Sequence, residues 1–407
     1  MTNRKTGSLC LAMLAGAAMA AMAGSPMASA QETIKLGFTG ALTGPFNEFG
    51  EGIRRGAEIA IEEWNKKGGI NGKKLEFAEV LDDQLVPDRA VQNMRRILDN
   101  EDIVALIAPS GSGPTLAIVD MVEADGRPMC NTQAQTPSIV NPNGDDGDPR
   151  PNVFSVSISN SVESEKLAKA LSSYKNIGLL HESTGYGVTG AKLVEEKLKK
   201  FNPDVKITSE SYNQRAQDMT AQLTSVQRGG AEVLLVIGLG ADLAVIRKNM
   251  ARLNLNLPFY ASAGGITPPY MEGAGDLVVG TRAATTKSLG LDPLPPATKT
   301  FLDLYKAKFG TDRWWGPNPD RAQISIATTV GSAYDCVNLL ASAIERAGST
   351  EPEAIIKAME ETKDFAGAGI RSISFSPKDH VALGVDDLAI YEIGKTADKV
   401  SLTMVEK

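Results

Sequence analysis

The sequence predicts an α/β fold built as two doubly wound lobes. Short β-branched runs alternate with runs of helical period, the rhythm of βαβ units feeding a parallel sheet. The rhythm runs once, breaks at a polar Pro/Gly/Asp-rich stretch from Asn141 to Asn152, and restarts. The length agrees: taking off a 30-residue leader leaves 377 of the 407 residues, more than one ordinary core holds.

The elements follow in order. Ile34 to Phe38 reads as a strand, and Ile53, Ala57, Ala60, Ile61 and Trp64 recur at helical spacing. Lys74 to Val80 is a strand, and Val86-Pro87-Asp88 opens a helix with proline in its first turn. Ile103 to Ile107 is an uninterrupted apolar strand of the kind buried on both faces. Pro114 to Ala124 is helical and Pro128 to Asn131 begins a strand. After the break come strands at Ile177 to Leu180, Val205 to Ser211 and Val233 to Ile237. Each is followed by a helix, at Thr189 to Phe201, Met219 to Gln227 and Leu243 to Arg252. The tail departs from the rhythm, mostly helical over 296–361 and strand-like over 370–407.

Residues 1–30 read as a signal peptide: Arg4 and Lys5, an apolar run from Leu9 to Ala23, and the small-x-small pattern Ala28-Ser29-Ala30. Cys10 precedes most of that run, the wrong place for a lipoprotein signal, so export to the periplasm without a lipid anchor is expected. Losing Arg4 and Lys5, with no acid lost, takes the formal net charge from −7 to about −9. That balance argues against nucleic acid or an anionic membrane as partner. Cys130 and Cys336 are expected to be buried free thiols, although an oxidising compartment permits a disulfide.

The sequence contains little catalytic chemistry. Two histidines, His181 and His380, and so few cysteines make a transition-metal site unexpected. There is no phosphate-binding G-x-x-x-x-G-K-[ST] and no G-x-S-x-G elbow, and Gly40, Gly44 and Gly50 do not make G-x-G-x-x-G, so neither a cofactor nor a catalytic residue is assigned. Asp82-Asp83 reads as a pair of turn-capping carboxylates at a strand end. Trp314-Trp315 reads as a packed pair, with a stacking wall as the alternative.

In open α/β sheets ligands sit beyond the carboxyl ends of the strands. That nominates 39–52, Pro109 to Thr115, Asn131 to Pro137 and Gly238 to Asp242. Pro109-Ser110-Gly111-Ser112-Gly113-Pro114-Thr115 offers hydroxyls and free N–H groups at a helix start, which suits an anionic ligand group or simply caps the helix through Ser112. The neighbouring turn Thr132-Gln133-Ala134-Gln135-Thr136 adds amides that donate and accept, which favours a small polar solute.

The segment IKLGFTGALTGPFNEFGEGIRRGAEIAIEEWNKKGGI, continued by NGKKLEFAEVLDDQLVPDRAVQNMRRIL, carries an ordered T-G-P, aromatic-Gly, N-x-x-G-G-I-x-G and D-D pattern. His181-Glu182 with Tyr186-Gly187, and Tyr334-Asp335, extend it. This resembles the periplasmic Leu/Ile/Val-binding protein family, the solute-binding proteins of branched-chain amino-acid-type ABC importers. The resemblance implies two lobes joined by three crossover segments, with the ligand in the cleft between them. One lobe would be 31–155 plus 287–367, the other 156–286 plus 368–407. It implies a monomer that takes a small-molecule solute and docks on ABC permease membrane subunits, with no catalysis.

Position by position, the resemblance places the first-loop aromatic at Phe49 and the serine that meets the ligand carboxylate at Ser112. The next turn falls on Gln133 and Gln135, and the second lobe's tyrosine on Tyr186. Two positions depart: a second tyrosine falls at Gly240, and the acid that pairs with the ligand's ammonium falls at Gly264. Either another acid such as Asp242 substitutes, or the ligand has no ammonium and is an aromatic or aliphatic carboxylate or an amide. Glycine at both places would also enlarge the cleft. A ligand sensor for a membrane receptor and a hydrolase using Ser112 and His181 are the rival readings.

Overall fold

The computed structural model describes residues 32–144, 147–310, 327–370, 372–396 and 399–406. The expected leader and Trp314-Trp315 lie outside them. The first sheet is parallel, with strands β1 (Thr33–Gly40), β2 (Lys74–Asp82), β3 (Ile103–Ile107), β4 (Met129–Asn131) and β5 (Val153–Ser155) in the order β2-β1-β3-β4-β5. Helices α1 (Asn47–Lys66), α2 (Pro87–Leu98) and α3 (Ser112–Asp125) connect its strands.

The chain then enters the second lobe through α4 (Asn160–Leu171). Strands β6 (Asn176–Glu182), β7 (Lys206–Tyr212), β8 (Val233–Ile237), β9 (Phe259–Ala261) and β10 (Arg282–Thr286) are parallel there. They alternate with α5 (Gly185–Phe201), α6 (Thr220–Arg228), α7 (Gly240–Arg252) and α8 (Pro268–Ala274). Helices α9 (Pro296–Phe309), α10 (Ala327–Ala347) and α11 (Pro352–Glu360) follow, and their buried faces pack with residues of the first lobe. The tail strands β11 (Leu388–Thr396) and β12 (Lys399–Glu406) add antiparallel edges to the second sheet, giving β12-β11-β10-β9-β8-β6-β7.

Residues 368–383, placed above with the second lobe, contribute Ile370, Ile373, Phe375 and Leu383 to the core that contains Ile34, Leu36 and Phe38 of β1. Val381 pairs in parallel with Ser155 beside β5, and the His380 ring stacks on Phe154 at 4.0 Å. The chain rejoins the second sheet at Leu388.

Helices α1 and α10 meet at backbone distance. Gly52 and Gly56, four apart on one face of α1, oppose Val330, and a Cβ on Gly56 would stand 2.1 Å from the Val330 carbonyl oxygen. Ala57 and Ala60 continue that face into the core with Ala333, Val337 and Leu340.

The cysteine expectation is corrected. Cys130 at the end of β4 and Cys336 on α10 form a disulfide, with Cα atoms 5.8 Å apart and neither residue exposed. Packing α10 across the sheet brings the two within bridging range despite 206 residues of separation.

Candidate functional site

The helix starts decide what the cleft contains. Gly44, at φ 86°, turns the chain after β1, and Asn47 N–H donates to Gly44 O, so α1 begins six residues before the apolar periodicity does. Phe49 thus stands in the first turn of a helix rather than in a loop. Ser112 and Tyr186 likewise occupy the first turns of α3 and α5.

A cavity of about 240 Å³ lies between the lobes, beyond the carboxyl ends of strands from both sheets. Phe49, Ser112, Gln133 and Gln135 line it from one side, and Tyr186 and Gly264 from the other. Gly240, the seventh expected residue, does not line it. The two glycines also do not open the cleft as expected. A Cβ on Gly264 would fall 2.1 Å from Gly238 O, and one on Gly240 would fall 2.0 Å from Thr267 Oγ1. Close packing of the turns after β8 and β9 demands glycine at both places.

Ser112 does not cap its helix; Gly111 is the N-cap residue. The Ser112 Oγ instead accepts from Gln135 N–H at 3.0 Å and Thr136 N–H at 3.3 Å, so its hydroxyl hydrogen remains available to a ligand. It therefore ties the start of α3 to the turn after β4. The first N–H groups of α3, which have no intrahelical acceptor, stand beside it and favour a carboxylate. Gln133 Oε1 accepts from the Thr329 hydroxyl at the start of α10. Gln135 Oε1, Thr132 Oγ1 and Thr286 Oγ1 belong to cavity-lining residues and are buried without hydrogen-bond partners.

Among the described residues that line the cavity, none is acidic or basic. Asp242, the substitute considered for the missing acid, is not among them; its Oδ1 accepts from Arg215 N–H at 3.0 Å. A different acid stands directly behind the wall. Glu163 on α4 is 1 % exposed, and its Oε1 accepts from Ala263 N–H at 2.7 Å. Burial pushes its carboxyl up to about 7, opposed by the Ala263 N–H and by the nearby Tyr186 hydroxyl. Burial, with Glu163 next, likewise pushes the Tyr186 hydroxyl well above its usual value. Sequence reasoning missed Glu163 because α4 was not read; Ser159, whose side chain caps the helix at Ser161 N, followed by Leu167 and Leu171, was the available signal.

Asp82 and Asp83 are turn caps, as expected. Asp82 Oδ1 accepts from Leu42 N–H at 2.9 Å and Gln84 N–H at 3.0 Å, and Asp83 Oδ1 from Leu85 N–H at 2.8 Å. His181 is not in the cavity wall; its Nδ1 lies 3.1 Å from Glu182 O.

The lobes are closed on each other. Phe46 and Phe49 pack with Leu239 and Ala241 of the second lobe. Thr136 Oγ1 donates to Gly185 O at 3.3 Å. The Arg215 guanidinium stands 5.0 Å above the Phe46 ring and donates to Gln84 O at 3.5 Å. Gln84, Leu85 and Arg215 all hold left-handed backbone, at φ 53°, 60° and 66°. Because these contacts exist only between closed lobes, Arg215→Ala is expected to favour the open form. An exposed cation–π contact contributes about 0.5–1 kcal/mol, so affinity is expected to fall roughly two- to fivefold with little change in thermal stability. Titration calorimetry with a thermal melt checks both.

A family model described as periplasmic binding protein matches residues 33–398. A crystal structure of a type 1 periplasmic binding protein from Bordetella pertussis Tohama I is 48 % identical, with a TM-score of 0.88, covering 92 % of this chain and 100 % of that one. The leucine-, isoleucine-, valine-, threonine- and alanine-binding protein of Pseudomonas aeruginosa is 25 % identical over 389 residues, covering 95 % of this chain and 96 % of that protein. The branched-chain amino acid transporter substrate binding protein LivJ of Streptococcus pneumoniae, solved with isoleucine, shares the fold at 20 % identity and a TM-score of 0.74, covering 92 % of this chain and all of that one. The two-lobed architecture, the interlobe cavity and the match across nearly the whole described chain agree, and the chain belongs to the periplasmic binding protein family.

Proposed function

We propose that this chain is the solute-binding component of an ABC importer of the branched-chain amino-acid type. It takes a small amino acid or related carboxylate by closing its lobes over the ligand. The observation that carries this reading is the interlobe cavity, with Ser112 and the start of α3 on one wall and Tyr186 on the other. Phe49, Ser112, Gln133, Gln135, Tyr186 and Gly264 are the proposed ligand contacts. The amino-acid ligands named for its relatives support the substrate class. Export to the periplasm, action as a monomer and docking on permease subunits complete the proposal.

The closed contacts give the protein a way to report occupancy: a ligand that touches both walls adds free energy to the closed form alone. Calorimetric titration of the mature protein with aliphatic amino acids and their des-amino carboxylates tests the substrate class. At least one is expected to bind with a dissociation constant of roughly 1 μM or tighter, about −8 kcal/mol. Silence across the whole panel would refute the substrate class.

A further inference from the structure

We propose that Glu163 supplies the negative charge that neutralises the ligand's ammonium group. This rests on the amino-acid reading given under Proposed function and names the residue on which it depends.

An amino acid enters the cleft as a zwitterion. Its carboxylate has donors on the first lobe, at Ser112 and the start of α3. Its ammonium, once enclosed, needs a compensating charge, because a buried unpaired ion is strongly disfavoured. The cavity wall offers none among the described residues. The turn after β9 cannot be the source, since Gly264 has no room for a side chain against Gly238 O. Asp242 also has an unpaired buried oxygen, Oδ2, but its Oδ1 accepts from the N–H of Arg215, which does not line the cavity.

Glu163 reaches the same turn from another element. Its Oε1 accepts from the N–H of Ala263, the residue before Gly264, while its Oε2 is buried with no hydrogen-bond partner. The Tyr186 hydroxyl lies beside it, and Ala263 and Tyr186 both line the cavity. Asn160, one turn earlier on α4, donates its N–H to Gln135 O at 2.8 Å, which draws Gln135 to the same corner. Gln135 Oε1 is a second buried acceptor without a partner. Asn160 Oδ1 and Nδ2 are buried without partners too, so what distinguishes the corner is the carboxylate of Glu163, which suits a cationic group such as an ammonium. Glu163 is buried and bonded to the cavity-lining Ala263, so its charge is little screened and acts on that group without belonging to the wall.

The test compares leucine with 4-methylpentanoate, which lacks only the amine, on the full mature protein and on Glu163→Gln. The amide keeps the shape and the acceptor for Ala263 N–H. Leucine is expected to lose about 30-fold in affinity with the loss of the Coulomb attraction, while 4-methylpentanoate changes less than about threefold. Equal losses for both ligands would make Glu163 a structural brace, and an unchanged leucine affinity would equally overturn the proposal. Should the variant not fold, the wild type decides: it must bind leucine more tightly than 4-methylpentanoate, and the reverse order overturns the assignment. If the wild type binds no amino acid and no carboxylate, the substrate class itself fails and the assignment goes with it.

Discussion

Ser112→Ala is expected to weaken ligand binding about 100-fold, equivalent to about 2.7 kcal/mol. Two losses combine. The ligand carboxylate forfeits an O–H donor, a charge-assisted bond that contributes about 1.5–3 kcal/mol. The Gln135 and Thr136 N–H groups, which now donate to Ser112 Oγ at 3.0 and 3.3 Å, lose their acceptor. A buried donor left without a partner costs about 1–3 kcal/mol, and the turn can lower that cost only by moving. Movement would displace Gln133 and Gln135, two further cavity-lining residues. Calorimetry on the purified variant measures the affinity, and a thermal melt shows whether the fold persists. A folded variant that binds as tightly as the parent would remove Ser112 from the site.

Removing the disulfide is expected to have the largest effect on stability. The double variant Cys130→Ala with Cys336→Ala should lose about 3–5 kcal/mol, because the bridge closes a very long loop and constrains the unfolded chain. For a protein of this size that corresponds to a fall of roughly 5 °C in melting temperature. Both sulfurs lie in the core shared by β4 and α10, so the alanines also leave small voids that add to the loss. Denaturant titration of the double variant against the parent, each with and without reductant, checks the magnitude. Identical midpoints would mean that packing alone holds α10 on the sheet.

The architecture was legible because uninterrupted apolar runs leave little choice. Ile103 to Ile107 and Val233 to Ile237 were read with the boundaries that β3 and β8 have. Helix starts were read late, by six residues at α1, four at α5 and three at α7. Their first turns hold glycine and polar residues that interrupt the apolar period, and the helix begins there because the strand-to-helix turn aims it. Those first turns contain Phe49 and Tyr186, which line the cavity, so the helix boundaries hardest to read lie at the cleft. Strands β5 and β9, three residues each, are too short to show a period, and α4 went unread with them. That gap hid Glu163 and left Asp242 as the apparent substitute. The disulfide depends on the distance between β4 and α10, which only the packed structure supplies.

The bridge also has a consequence for the chain as a covalent object. The stretch between Cys130 and Cys336 contains β6 to β10, so most of the second lobe hangs as a closed loop on the first. A protease that cuts once within that loop would not release a fragment. The nicked molecule would migrate as one species on a denaturing gel without reductant and as two with it. Damage to an exposed turn of the second lobe is thereby kept from becoming loss of the lobe.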